Sequence, residues 1–184
     1  MLVEIARDGS GRIGILAGDI TEYSGGGIVN AANSGLLGGG GIDGAIHRAA
    51  GTELSDECCA LRATSLPGGL PAGKAVSTGA GRLRVRRVIH TVGPVWRGGT
   101  SGERETLASC YRTSLELARD EGLESLGVPA VSTGAYGFPP AAALEIALRE
   151  CRAFAIANAL PARIDLVFFT LAEARAAAAL VAAS

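Results

Sequence analysis

The most informative segment of the chain covers residues 28–51 and reads IVNAANSGLLGGGGIDGAIHRAAG. The apolar run at residues 27–30 is typical of a buried strand, and from Ile42 to Ala49 apolar residues recur at the spacing of a helix. A glycine run at residues 35–41 lies between the two. A glycine run that opens a helix aims unpaired backbone amides at one point, which suits an anion such as pyrophosphate.

A second segment of this kind covers residues 131–139 and reads VSTGAYGFP. It follows another apolar run, and Pro139 at its end, together with the following Pro140, is suited to the first turn of a helix. A shorter one, Gly18 with Asp19, also follows a predicted strand. Ligands of open α/β sheets bind outside the carboxyl ends of the strands, so the two longer segments predict a clamp for two phosphates.

Short apolar runs alternate with helical patterns, which predicts an α/β fold with helices on both faces of a mixed sheet. The first strands lie too close together for crossover helices, so we expect them to be antiparallel or at an edge. The later strands are separated by helices and are expected to be parallel. No linker or repeat interrupts the pattern, which predicts one domain. The predicted strands are residues 2–5, 12–17, 27–30, 74–78, 87–92, 125–130 and 164–170.

The composition is that of a globular protein, with 48% hydrophobic residues and 17 basic residues against 18 acidic ones. A nearly neutral chain has no overall positive potential that would attract a long polyanion, so any phosphate must be held by local groups.

No signal-peptide pattern and no run of roughly 18 apolar residues is present, which predicts a cytoplasmic protein without membrane contact. Four cysteines without a CxxC pair predict reduced thiols. With only His47 and His90 and no clustered acids, we expect neither a metal site nor a cofactor.

Two familiar phosphate-binding patterns are imitated by the sequence. Residues 39–44 satisfy G-x-G-x-x-G, but residues 31–38 separate them from the preceding strand, which disfavours a dinucleotide site and a nicotinamide-dependent oxidoreductase. Residues 68–74 nearly spell a P-loop. However, Ala75 replaces the magnesium-binding Ser or Thr, and Pro71 removes an amide, so we expect a turn.

Asn30 and Asn33 stand at the predicted end of a strand among small neighbours. Their amides are both donors and acceptors, so they are suited to the hydroxyls of a sugar. They are equally suited to capping a turn. The residues alone leave both interpretations open.

The ordered motifs resemble those of macrodomains, specifically the MacroD-type branch. Residues 28–51 resemble the first ligand loop of that family, and GDIT at residues 18–21 resembles its adenine-side motif. HTVGP at residues 90–94 and VSTGAYGFP at residues 131–139 occur at the expected places. The resemblance extends over about residues 2–170. It implies a three-layer α/β/α fold around a mixed sheet, with ADP-ribose bound in a crevice at its crest.

The resemblance also implies a single macrodomain over residues 1–184, with a C-terminal helix at residues 171–182. Asp19 would accept a hydrogen bond from the adenine amino group. Where the family often has an aromatic residue against adenine, we expect Leu171, which lacks the aromatic stacking energy. The implied ligand-binding residues are Asp19, Ile20, Asn33, Gly40, Gly41, Ile42, Asp43, Ser132, Thr133, Gly134, Ala135, Tyr136 and Leu171.

Asp43 matches the aspartate that the MacroD-type branch uses for hydrolysis. Our hypothesis is that Asp43 and the substrate's phosphates position or deprotonate a water, while Asn33 and Tyr136 orient the distal ribose. By itself, an acid in the first turn of a helix is also explained by the helix dipole. His47 lies one turn later and is in reach of Asp43, but we expect it to pack or to cap the helix.

The leading hypothesis is therefore an enzyme that hydrolyses mono-ADP-ribose esters from the glutamate and aspartate side chains of modified proteins. O-acetyl-ADP-ribose, also a sugar ester, is a further candidate substrate. The alternative is a non-catalytic reader of ADP-ribose. The Gly-Ile-Asp-Gly segment favours hydrolysis, because a reader has no need of an acid beside a diphosphate. ADP-ribose on nucleic-acid ends remains open as a third substrate class.

Overall fold

The computed structural model describes residues 1–182 of the chain. Each predicted strand overlaps an observed one, and the helical patterns are helices. The strands are β1 (Val3–Arg7), β2 (Ile13–Ala17), β3 (Gly25–Ala32), β4 (Ala75–Thr78), β5 (Val85–Val92), β6 (Ser125–Pro129) and β7 (Arg163–Phe168). The helices are α1 (Gly41–Ala50), α2 (Thr52–Thr64), α3 (Glu103–Asp120), α4 (Pro140–Ala157) and α5 (Leu171–Ala182), with a short 3-10 turn at Ile20–Glu22.

The described residues form a seven-stranded mixed sheet in the order β1-β2-β7-β6-β3-β5-β4. The strands from β2 to β5 in that order run parallel, and β1 pairs antiparallel with β2 at one edge, as predicted. The expectation of parallel later strands is wrong for β4, which pairs antiparallel with β5 at the other edge. Only residues 79–84 join these two strands, too few for a crossover.

Helices cover both faces of the sheet, so the predicted three-layer α/β/α architecture is confirmed. One hydrophobic core packs α3, α4 and α5 against one face, and the other packs α1 and α2 against the opposite face. Adjacent residues of β3 show the alternation, since Val29 belongs to the first core and Ile28 to the second.

The parallel strands bring their carboxyl ends to one edge of the sheet, where the glycine-rich segments emerge. The P-loop-like segment at residues 68–74 is a turn, with Lys74 N donating to Pro71 O at 3.2 Å, and β4 follows it directly.

The cysteines are free thiols. Burial raises the pKa of Cys58 to about 11, which keeps this thiol protonated. No helix within residues 1–182 is long and apolar enough to cross a membrane.

Candidate functional site

Two loops face each other across a crevice of about 350 Å³. The first loop (residues 33–40) joins β3 to α1, and the second loop (residues 130–139) joins β6 to α4. The crevice is lined by Ala31, Ala32, Asn33, Gly40, Gly41, Ile42, Asp43, Gly93, Ala130, Val131, Ser132, Gly134, Ala135 and Tyr136. Most of the expected phosphate and ribose residues are thus brought together. Thr133 does not line this crevice, and its hydroxyl donates to Ala130 O at 3.0 Å.

The start of α1 presents bare backbone to the crevice. Gly40 precedes the helix without a side-chain cap, and Gly41 has a φ of +57°, in the left-handed region that favours glycine. A Cβ on either residue would meet no atom within 4 Å. On Gly44, however, it would lie 2.3 Å from Gly39 O. The third glycine of the dinucleotide-like pattern therefore serves to pack the first loop against α1.

Asp43 is the third residue of α1 and is only 4% exposed, although it lines the crevice. Its Oδ1 accepts a hydrogen bond from Asn30 Nδ2 at 2.7 Å, and its Oδ2 accepts one from Asn33 Nδ2 at 3.2 Å. The Nε2 atom of His47 lies 3.6 Å from Oδ1. A carboxylate buried with two amide donors has a defined orientation, which a solvated first-turn acid would lack.

The two asparagines have different positions. Asn33 lines the crevice and also holds the first loop, because its Oδ1 accepts from Gly35 N at 2.9 Å and its Nδ2 donates to Gly38 O at 2.9 Å. Asn30 is fully buried and hydrogen-bonds to Asp43 and His90. Asn33 is therefore placed both to contact a sugar in the crevice and to cap the turn, whereas Asn30 is placed for neither role.

Ser132 is the most strained residue of the second loop. Its φ is +66°, an uncommon value for a residue other than glycine. Its hydroxyl is buried without a hydrogen-bond partner among the residues described. A Cβ on Gly93 would lie 2.0 Å from Ser132 Oγ, so only glycine at 93 admits this loop. Strain combined with an unsatisfied buried group is characteristic of ligand-binding sites.

The second loop is braced from outside by Trp96. Its backbone N–H donates to Tyr136 O at 2.8 Å, and its ring lies against Phe138 with the centroids 4.6 Å apart. The buried carboxylate of Glu103 accepts from the backbone amides of Arg97, Gly99 and Ser101 and so fastens the segment that carries Trp96. Trp96 is therefore a structural anchor that holds the backbone of Tyr136.

A second pocket of about 510 Å³ adjoins the crevice. Gly41 and Ile42 line both spaces, which places the two side by side at the start of α1. Asp19 accepts from Thr21 N at 2.9 Å and Thr21 Oγ1 at 2.8 Å, and both bonds use Oδ1. The pocket is lined by Gly18, Asp19, Ile20, Gly41, Ile42, Ala45, Arg48, Val167 and Phe169.

Leu171 does not line this pocket. It is the first residue of α5, and the aromatic residue at the pocket is Phe169. The predicted last strand extended to residue 170, whereas β7 ends at Phe168, where its register with β2 ends. The overestimated strand end explains the expectation of Leu171 beside this pocket, and the contact of Leu171 with a ligand stays a prediction.

Three potential metal ligands lie behind Asp43. The ligand atoms of His47, Cys58 and His90 lie within 4.8 Å of one another. His90 Nε2, however, already forms a hydrogen bond of 2.9 Å with Thr78 Oγ1. Desolvation, followed by the nearby His47, lowers the pKa of His90 to about 3. Because His90 Nε2 is engaged with Thr78, we describe this cluster as a hydrogen-bonded polar core and assign no metal to it.

Comparison with known proteins identifies the family of the chain. The Macro domain family model matches residues 29–147. The O-acetyl-ADP-ribose deacetylase of Escherichia fergusonii is 52% identical over 158 residues, covering 86% of this chain and 88% of that protein.

Solved structures agree with the sequence relatives. The Oceanobacillus iheyensis macrodomain with ADP superposes with a TM-score of 0.88 at 38% identity, covering 98% of this chain and 95% of the other. The Trypanosoma brucei macrodomain in complex with ADP-ribose gives 0.82 at 38% identity, covering 92% and 69%. The chain belongs to the macrodomain family.

Proposed function

We propose that this macrodomain binds ADP-ribose and hydrolyses its esters, among them mono-ADP-ribose on the glutamate and aspartate side chains of proteins. The observation that carries the proposal is Asp43, a buried carboxylate held by two asparagines beside the bare start of α1. The relative named O-acetyl-ADP-ribose deacetylase supports hydrolysis of an ADP-ribose ester. The solved relatives with ADP and ADP-ribose support the ligand.

ADP-ribose fits the two adjacent spaces in one direction. Adenine occupies the pocket beside Asp19, whose Oδ2 accepts from the exocyclic amino group while the Ile20 amide lies beside the ring. Phe169 covers the adenine face in place of Leu171. The diphosphate then crosses the start of α1, where free amides and the helix dipole favour negative charge.

The second loop closes over the diphosphate from the other side. Its residues 132–136 supply further backbone amides, and the buried Ser132 hydroxyl, which has no partner among the described residues, hydrogen-bonds to the ligand. The net charge of the chain is −1, so this local set of donors, and not a bulk field, provides the attraction. The distal ribose lies next to Asp43 and Tyr136.

The chemistry is displacement of a carboxylate from the anomeric carbon of the distal ribose. A water oxygen forms the new bond to this carbon, the bond to the acyl oxygen breaks, and the carboxylate leaves with the electron pair. The proton of the water passes to Asp43 or to a phosphate of the substrate. Asn33 and Tyr136 orient the sugar, and a carboxylate leaving group needs no second acid of the kind that glycosidases use.

The direct test is release of ADP-ribose from a glutamate-linked mono-ADP-ribosylated protein by the wild type and by Asp43→Ala. We expect the variant to lose about 100-fold or more in kcat. Its Kd for ADP-ribose, measured by calorimetry, should change by less than about threefold. The calorimetric titration also shows that the variant is folded.

Other outcomes identify other functions. If the wild type binds ADP-ribose and releases nothing from protein, O-acetyl-ADP-ribose or nucleic-acid ends, it is a reader and the hydrolase proposal is wrong. Release of acetate from O-acetyl-ADP-ribose alone would keep ester hydrolysis as the activity and would exclude the modified protein as a substrate. Equal turnover by wild type and Asp43→Ala would remove Asp43 from the mechanism.

A further inference from the structure

A row of buried polar side chains runs beneath Asp43 across three neighbouring strands. Asn30 lies on β3, His90 on β5 and Thr78 at the end of β4, and each is at most 2% exposed. In the parallel pairing of β3 with β5, Asn30 stands directly opposite His90. The register of the sheet therefore brings together polar residues that are far apart in the chain.

The direction of each hydrogen bond in this row follows from the backbone carbonyl of Gly79. Thr78 Oγ1 donates its proton to that carbonyl at 2.9 Å, so the same oxygen accepts the bond from His90 Nε2. The proton of a neutral His90 then lies on Nε2, and Nδ1 carries a lone pair. This Nδ1 accepts from Asn30 Nδ2 at 3.1 Å.

The same row sets the orientation of the Asn30 amide. With one N–H directed at His90 Nδ1, the other donates to Asp43 Oδ1 at 2.7 Å. The reversed amide would place its oxygen against the Asp43 carboxylate. The observed orientation leaves Asn30 Oδ1 buried without a partner among the described residues. The amide orientation is therefore fixed by its two N–H hydrogen bonds and not by a bond to its oxygen.

The surroundings of His90 keep the ring neutral. Desolvation and the neighbouring His47 lower its pKa to about 3. Cys58 Sγ lies 3.8 Å from Nε2, and burial, with Asp43 second, raises the pKa of this thiol to about 11, so it adds no charge. A protonated ring would direct an N–H from Nδ1 at the N–H of Asn30 and break the row.

We propose that His90 is a positioning residue that acts through Asn30 to orient the carboxylate of Asp43. His90 does not reach the crevice. Its neutral Nδ1 selects the amide orientation that donates to Asp43, and Thr78 selects the tautomer that leaves Nδ1 free to accept. The effect on catalysis rests on the proposed ester hydrolysis, whereas the tautomer and the amide orientation do not.

The first test is nitrogen NMR of ¹⁵N-histidine-labelled wild type, with Thr78→Val for comparison. We expect wild-type His90 to remain neutral, with the proton on Nε2, between about pH 5 and pH 8. Thr78→Val removes the acceptor for Nε2–H and should shift part of the population to the other tautomer. A proton on Nδ1 in the wild type, or titration within that range, overturns the proposal.

The second test compares His90→Leu with His90→Asn. Leucine removes the acceptor that faces Asn30, and asparagine places an amide oxygen close to the position of Nδ1. On the ester substrate we expect His90→Leu to lose about 10- to 100-fold in kcat with its Kd for ADP-ribose nearly unchanged. His90→Asn should retain kcat to within about threefold of the wild type.

The two variants separate positioning from simple structural support. Equal impairment of both, or an unchanged kcat in a folded His90→Leu that binds ADP-ribose, overturns the proposal. If His90→Leu fails to fold, Thr78→Val supplies the kinetic comparison, and its shifted tautomer should accompany a lower kcat at constant Kd. If the wild type hydrolyses no ester, the proposed function fails separately, and the NMR result alone decides the hydrogen-bonded row.

Discussion

The end of the site that holds Asp43 is enclosed, whereas the end that holds Asp19 is open to solvent. Asp43 is 4% exposed and its carboxylate accepts from two asparagine side chains, one of them fully buried. Asp19 is half-buried and its side chain accepts local hydrogen bonds from Thr21, and Phe169 beside it is 79% exposed. Under the proposed function the two ends have different tasks, because orienting a reacting group needs rigid surroundings and holding an adenine ring needs only a contact surface.

The largest expected effect is a dependence of the free energy of unfolding on pH, which arises from His90 at the enclosed end. His90 has a pKa near 3 in the folded protein and 6.5 when unfolded, so below pH 6.5 the unfolded chain takes up the proton first. The stability due to neutral His90 is therefore present above that value and declines as the pH falls towards 3. We expect a loss of about 2 kcal/mol in the free energy of unfolding between pH 7 and pH 5.

Urea unfolding at both pH values measures this loss, and His90→Asn serves as the matched control. The variant lacks the titrating ring, so its stability should fall by about 2 kcal/mol less over the same interval. Carboxylates elsewhere titrate equally in both proteins and cancel in the difference. Parallel pH profiles for the two proteins would mean that His90 is not held neutral.

The next effect concerns Gly41, which lies where the two ends of the site meet. An alanine there would be forced into the left-handed region, at a cost of about 1–2 kcal/mol. Relaxation of that strain moves the first amides of α1, so we expect Kd for ADP-ribose to rise about tenfold or more. Calorimetry with Gly68→Ala as the control makes the comparison, because Gly68 has neither a left-handed φ nor a neighbour within 4 Å of its Cβ position. Unchanged binding by a folded Gly41→Ala would show that these amides do not hold the diphosphate.

The smallest effect tests the open end and the proposed adenine contact of Phe169. Phe169→Ala should weaken ADP-ribose binding by about 1 kcal/mol, or about fivefold in Kd, with little change in kcat. Leu171→Ala, two residues away at the start of α5, should leave Kd within about twofold. A larger loss from Leu171→Ala than from Phe169→Ala would restore the original prediction and reject the assignment made from the structure.

Local chemistry accounts for the features that are predictable from the sequence. The glycine run at residues 35–41 predicts the bare start of α1, because few other residues adopt its backbone conformation. Apolar runs of strand length predict each strand to within a few residues, because buried strands need continuous hydrophobic side chains. The order of the motifs indicates the family, which the comparisons confirm.

The tertiary structure decides the features that depend on register. No periodicity links Asn30, Thr78 and His90, and they meet only because β3, β5 and β4 are neighbours in one particular alignment. Phe169 lines the pocket beside Asp19, just beyond the point where β7 ends its pairing with β2, and the apolar run that continues past this point does not reveal it. Backbone conformation depends mainly on residues that are neighbours in the chain, so the sequence predicts it. The orientation of a buried carboxylate depends on partners that only the folded sheet brings together.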